Sequence, residues 1–268
     1  MKTPLVLLIC VAFLVTDSMA QKEYSALRKT VKSITQCKQG ERARLSAANG
    51  KVYSFVVEKA DLETEQEGAM GMMEINSPCD GETFDGTDRK AAKLSLSTAP
   101  VQTYASLDAL IKTLPADDKI GRRNPKITTD AASLRVKEEQ RNVYVKKAWI
   151  YTLAREGDED FHTIIGNTPM PTPATKYFNA EISGLPAAGS NSLALRTVRT
   201  TYKHFFGLDK AACQGGYVAT FTKPVEIEFK GSLFFDQLHY DGQASIGHGN
   251  AKPKSYWEVH PVSFIKFH

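Results

Sequence analysis

After residue 140 the strand-like and helix-like segments follow the order β-β-β-α-β-β, which predicts an α+β chain ending in a five-stranded OB-like β-barrel. Three observations carry this reading. Five runs rich in β-branched and aromatic residues begin near 142, 161, 177, 225 and 256. One amphipathic helix falls between the third run and the fourth. The chain of 268 residues, 42% hydrophobic and 24% charged, has the composition of one large or two small soluble domains. Element order alone also admits other small β-barrels.

In chain order, residues 1–20 form a signal peptide. Lys2 precedes the apolar run from Leu5 to Val15, and Ser18-Met19-Ala20 offers small residues for cleavage before Gln21. That run is too short to cross a bilayer, and no later run approaches spanning length. The mature chain is therefore expected to be secreted or periplasmic, without a membrane span. Export permits disulfides, and of mature Cys37, Cys79 and Cys213 the expected pair is Cys37–Cys79. Cys213 is then a small buried hydrophobe. The net charge of +4 permits contact with polyanions without predicting it.

Residues 21–135 make a smaller α+β portion whose fold is not readable. Tyr24, Leu27, Val31 and Ile34 share one face of a short helix. Arg42 to Ala48 and Lys51 to Val57 read as a hairpin around Asn49-Gly50, with both turn residues at positive φ. Asp61 to Lys90 reads as an exposed loop. A calcium loop at Asp80 to Asp85 is excluded, because Phe84 stands where an oxygen ligand is required. Ser106 caps a helix carrying Leu107, Leu110, Ile111 and Leu114, ended by Pro115. The boundary is placed near Thr129 to Glu138, giving a barrel domain at 136–268.

In the barrel, Val143 and Val145 alternate, but Ala148, Ile150 and Leu153 are out of phase with them. This predicts a long first strand that is curved or bulged. Glu156 to Asp160 is a turn. Phe161 to Ile165 and Tyr177 to Ile182 follow as strands, and a helix capped at Ser190 or Asn191 runs to Phe206. Val225 to Phe229 and Tyr256 to Phe267 complete the barrel.

Gly157 to His162 reads Gly-Asp-x-Asp-Phe-His, Gly231 to His239 reads Gly-x-Leu-Phe-Phe-Asp-x-x-His, and Trp257 to Val262 reads Trp-Glu-Val-His-Pro-Val. This succession resembles a group of largely uncharacterised exported bacterial proteins with an OB-like barrel, over about residues 140–267. The resemblance implies fold and compartment and says little about activity. The spaced arginine–glutamate–arginine set of thermonuclease-like barrels is not found.

The residues open to chemistry are Asp236, His239, Glu258 and His260, with His162 as a further candidate. Strand alternation puts Glu258 and His260 on one face, outward or toward a cleft, and Trp257 and Val259 in the core. An antiparallel end of strand four brings Asp236 and His239 toward them. Two imidazoles and a carboxylate suit a divalent metal, with His239, Glu258 and His260 as ligands and Asp236 as base or as a partner behind the ligands. The competing reading is a set of structural hydrogen bonds. No Gly-x-Ser-x-Gly elbow, phosphate loop or Cys-x-x-Cys is present.

Two functions follow. One is a binding module whose ligand is an oligosaccharide, an oligonucleotide or a protein, with Tyr144, Trp149, Tyr151, Tyr177 and Phe178 as stacking candidates. The other is a metal-assisted hydrolase of the phosphodiesterase kind. Arg196, Arg199 and Lys203 on the helix read as a solvated face.

Overall fold

The computed structural model describes residues 42–59, 82–156, 158–187, 192–206, 208, 217–242 and 251–268. The expected signal peptide, the helix through 24–34, and Cys37, Cys79 and Cys213 lie outside the described residues. Among the described residues no helix is long and apolar enough to cross a membrane.

Eight strands form one sheet: β1 (Arg42–Ser46), β2 (Val52–Lys59), β3 (Val101–Tyr104), β4 (Asn142–Arg155), β5 (Phe161–Gly166), β6 (Tyr177–Ile182), β7 (Tyr217–Phe235) and β8 (Trp257–Phe267). The helices are α1 (Lys90–Lys93), α2 (Leu107–Ile111), α3 (Asp117–Gly121), α4 (Leu193–Phe206) and α5 (Gln237–Tyr240), with a 3-10 turn at Lys137–Glu139. The strand order is β1-β2-β7-β8-β6-β5-β4-β3, and β7 also pairs with β4. That extra pairing closes β4, β5, β6, β8 and β7 into a five-stranded barrel. Its pairs are antiparallel except β6–β8, which is parallel, so the barrel is mixed.

The out-of-phase residues of β4 behave as expected. Its register against β7 shifts between Val145 and Ala148, and Val143, Val145, Ala148, Ile150 and Leu153 all enter the core. A second shift lies between Ile150 and Thr152, opposite the gap from Val225 to Thr220 on β7. Pro224 sits in that gap, where a residue without an N–H costs no ladder bond. The fourth barrel strand is correspondingly much longer than Val225 to Phe229. It needs the length because it borders β2, β4 and β8 together.

Ahead of the barrel, β2 pairs with β7 and the short parallel strand β3 pairs with β4. The β1–β2 turn places only Gly50 at positive φ (74°), and Asn49 keeps an ordinary one. Ala47 accepts from the Gly50 amide, and its own amide donates to Lys51, so the turn is a bulged three-residue type and not a two-residue one. Ser106 caps α2 by accepting from the Ala109 amide, and the helix stops at Ile111, short of Leu114.

Two surface readings are corrected. The stretch around Phe84 is not an exposed loop, for Phe84 is buried, its amide donates to the Leu185 carbonyl, and the Leu185 amide donates back to the Glu82 carbonyl. Gly184 permits this, since a Cβ there would stand 2.7 Å from the Phe84 backbone. Arg199 is not on a solvated face either. It is 2% exposed, donates to the carbonyls of Glu159 and Ser183, and lies over the Phe161 ring. Arg196 is exposed, and Lys203 pairs with Glu82.

The barrel interior holds Phe161, Ile165, Phe178, Ala180, Ile182, Leu233, Phe235, Trp257 and Val259, with α4 adding Val198, Tyr202, Phe205 and Phe206. Side chains of the opposite phase on β5, β6 and β8 therefore face out of the barrel.

Candidate metal centre

That outer face is polar and nearly dry. In the β5–β6 ladder His162 lies opposite Glu181, and in β6–β8 Asn179 lies opposite Glu258. All four are buried, as is His260 two residues beyond Glu258. Trp257 and Val259 fall in the core as alternation requires. Glu258 and His260 do not reach solvent, because the segment ahead of the barrel covers this face; they look into a buried polar cluster.

His260 is enclosed by carboxylates. Its Nδ1 lies 2.8 Å from Glu181 Oε2 and 3.2 Å from Glu258 Oε1, and its Nε2 lies 3.2 Å from Asp160 Oδ2. The Asn179 amide donates to Glu181 Oε1 at 2.7 Å and to Glu258 Oε2 at 2.8 Å. His162 Nδ1 sits 2.7 Å from Glu156 Oε1 and 3.3 Å from Glu181 Oε1. At the end of β7, Asp236 caps α5: its Oδ1 accepts the His239 amide and its Oδ2 meets His239 Nδ1.

Charge is distributed unevenly among these groups. Burial pushes the Glu181 carboxyl up, but the charge and hydrogen bond of His260, with His162 and Lys93, outweigh it and hold it well below the usual range. Burial pulls His260 down, and Glu181 and Asp160 more than reverse this, so it stays an imidazolium. Glu258 is pushed up to about 7 by burial and then by the Glu181 charge. Asp236 is raised by burial and lowered further by His239, ending low.

A small cavity of about 10 Å³ opens among Asp88, Lys93, Glu156, His162, Glu181, Asp236, His239 and Glu258. It holds one water-sized sphere or one ion. Lys93 is 3.9 Å from Asp158 and 4.0 Å from Asp88. Two triads have ligand atoms within 4.8 Å of one another: Glu156, His162 and Glu181, and Asp160, Glu181 and His260. Only the first lies wholly on the cavity wall. Its 3.3 Å His162–Glu181 separation is close to the roughly 3.4 Å edge of a tetrahedron with bonds near 2.1 Å, whereas the 2.7 Å His162–Glu156 contact is a hydrogen bond that an ion would have to open.

The five residues expected from sequence are thus gathered in one region, in different positions. His162, Asp236, His239 and Glu258 line the cavity; His260 sits behind it with both ring nitrogens against carboxylates. Sequence reasoning missed Glu156, Asp160, Glu181 and Asn179. Glu181 and Asn179 carried a usable signal, since they alternate with the core residues Phe178, Ala180 and Ile182. Phe178 is core, whereas Trp149, Tyr151 and Ile164 form a second small apolar cluster with Tyr177 packed against it. Compared with known proteins, the chain matches no family model, no curated protein and no solved structure.

Proposed function

We propose that this is an exported binding protein built on an OB-like barrel, and that its ligand at Glu156, His162 and Glu181 is a divalent transition-metal cation. The OB-like reading is supported by the succession of three strands, helix and two strands, closed as described above. In that count Glu156 to Asp160 is the first loop, His162 and Glu181 lie on strands two and three, and Asp236 to Tyr256 is the fourth loop. Ligands of such barrels sit on the strand two–three face between those loops.

The observation that carries the metal is the single-ion cavity. Around it gather the carboxylates of Asp88, Glu156, Glu181, Asp236 and Glu258, against one lysine and two imidazoles. Carboxylates crowded in low dielectric repel one another, and a cation among them removes that cost. Oxygen and imidazole donors together suit zinc, manganese or iron(II) better than calcium. His260 and Asn179 then act behind the ligands, holding Glu181 in place as outer partners of a metal site do. The test is calorimetric titration of chelator-treated protein with Zn²⁺ and Mn²⁺, alongside metal analysis. One equivalent bound by the natural chain, and lost in Glu156→Gln and His162→Ala, is expected. No binding by the natural chain sinks the proposal.

A second reading, metal-assisted hydrolysis, is favoured by the Asp236–His239 pair on the same cavity wall. A carboxylate fixing an imidazole at Nδ1 leaves Nε2 as the basic nitrogen, which is the arrangement of a general base. A cation at the site would supply a more acidic water, and His239 would take its proton. Hydrolysis of a chromogenic phosphodiester that disappears in His239→Gln while metal stoichiometry stays at one supports this reading. Absence of turnover with every divalent ion leaves binding alone.

A further inference from the structure

A second opening lies on the same side of the barrel, at the Tyr177 end of β6. It is a groove of about 880 Å³ bounded by Thr172 to Phe178, by Ile111 of α2, and by Lys252, Lys254 and Ser255. This volume suits an extended ligand better than an ion. We propose that this groove binds a single-stranded oligonucleotide through its phosphates and one stacked base, a proposal that does not depend on the metal reading.

The groove's charge is the first argument. Lys252 and Lys254 are exposed, and among the described residues neither is paired with a carboxylate. The sequence from Gln243 to Asn250, which leads into them, contains no aspartate or glutamate. Lys176 is the third cation and is tied to Asp108 at 2.9 Å. Asp117, the other nearby acid, is engaged by Ser255 at 2.9 Å and by the Tyr256 amide at 3.4 Å. The rim therefore sets three lysines against Asp108 and Asp117 and carries a net positive charge.

The second argument is that the walls are built in advance. The loop from Asn167 to Lys176 is held by hydroxyls: Thr175 Oγ1 accepts the Thr172 amide at 2.8 Å and lies 3.0 Å from Thr168 Oγ1. Asn167 Oδ1 accepts the Lys176 amide at 2.8 Å, and Tyr151 donates to the Thr168 carbonyl at 2.8 Å. Lysine ammonium groups and threonine hydroxyls are ordinary phosphate donors. Tyr177, half-buried, is propped edge-to-face by Tyr151 with centroids 5.1 Å apart, which steadies a ring at the groove floor. An aromatic platform beside lysines is how single strands are held without sequence preference. An acidic peptide would use the lysines and leave the ring idle.

The experiment is fluorescence anisotropy of a labelled oligo-dT 12-mer against the full mature chain, with EDTA present throughout. Two to three phosphate contacts predict a log–log salt slope of about −1.4 to −2.1, so affinity falls roughly 7- to 20-fold between 50 and 200 mM salt. Lys252→Gln/Lys254→Gln, two exposed changes that leave the fold alone, should remove about 1.4 from that slope and weaken binding roughly tenfold or more. Tyr177→Leu should weaken binding about fivefold with the slope unchanged. An unaltered slope and affinity in the double lysine variant overturns the proposal. So does equal competition by a poly-glutamate 12-mer, or binding that appears only when Mn²⁺ replaces EDTA. That last result would move anion recognition to the metal centre.

Discussion

Two buried polar regions flank the β7–β8 junction, and their charges are balanced in opposite ways. In one, Arg89 makes a two-pronged contact with Glu139 at 2.7 and 2.8 Å and also donates to the carbonyls of Leu134 and Phe235. Glu139 in turn accepts the amides of Phe235 and Val136. Arg135 donates to the carbonyls of Ala92, Ser95, Leu233 and His260, and burial, then the charge of Arg89, brings its pKa down to about 10. Cations exceed carboxylates here, and backbone oxygens absorb the excess. The other region is the centre around Glu181, where carboxylates exceed cations and a cavity remains. A clamp is complete when its parts meet; a binding site is complete when something else arrives.

Breaking the clamp should cost most. Glu139→Ala leaves Arg89 without its anion in a fully buried place, and about 3–5 kcal/mol of stability should go, read from urea unfolding. A loss under about 1 kcal/mol would mean the clamp is not what holds Arg89's segment to β7. Next comes ligand stabilisation of the centre. Zn²⁺ at one hundred times its Kd should add about 2.7 kcal/mol, seen as a rise in Tm that Glu139 variants retain in size.

The third effect is electrostatic. The folded state holds Glu258 near 7 against an ordinary 4.5, so it binds a proton more tightly than the unfolded chain does. Ionising Glu258 therefore costs stability progressively from pH 4.5 to 7. Glu258→Gln removes this cost, and in EDTA its stability relative to the natural chain should climb across that window by about 3 kcal/mol and then level off. Glu181 and His260 work the other way. The low Glu181 pKa adds stability that is lost as pH falls through it, and the raised His260 pKa adds stability that is lost as pH rises through it. A pH-independent difference between variant and natural chain would show that Glu258 does not titrate there. The smallest change in stability belongs to Glu156→Gln, at the partly exposed cavity edge. It should stay within about 1 kcal/mol, while the single equivalent of zinc is lost by calorimetry.

Local periodicity made much of the barrel legible. The phase slip between Val145 and Ala148 announced a bulge in β4, whereas Phe178, read as a stacking candidate, lies with Ala180 and Ile182 on the core side of β6. The VQTY segment of β3 did not announce itself, because four residues, mostly exposed, carry too little alternation. The reach of β7 was hidden by Pro224, which normally signals a strand's end. At the centre, histidines drew attention because they are few, whereas Glu156, Asp160 and Glu181 resembled any turn or surface carboxylate. What makes them special is the pairing of His162 with Glu181 across two strands and the covering of that face by the segment from 82 to 97. Neither is a property of neighbouring residues in sequence.

Every residue of β5 is buried, so apolar packing inside and the covered polar face outside enclose it together. Strands enclosed on both faces exchange their amide hydrogens last, often only when the whole molecule opens. The backbone amides of His162 and its neighbours should therefore be among the slowest in the chain, slower than those of exposed β3. A ligand at this centre would meet donors whose freedom was already given up in folding, and because β5 exchanges through global opening, zinc at one hundred times its Kd should slow those amides by roughly 100-fold.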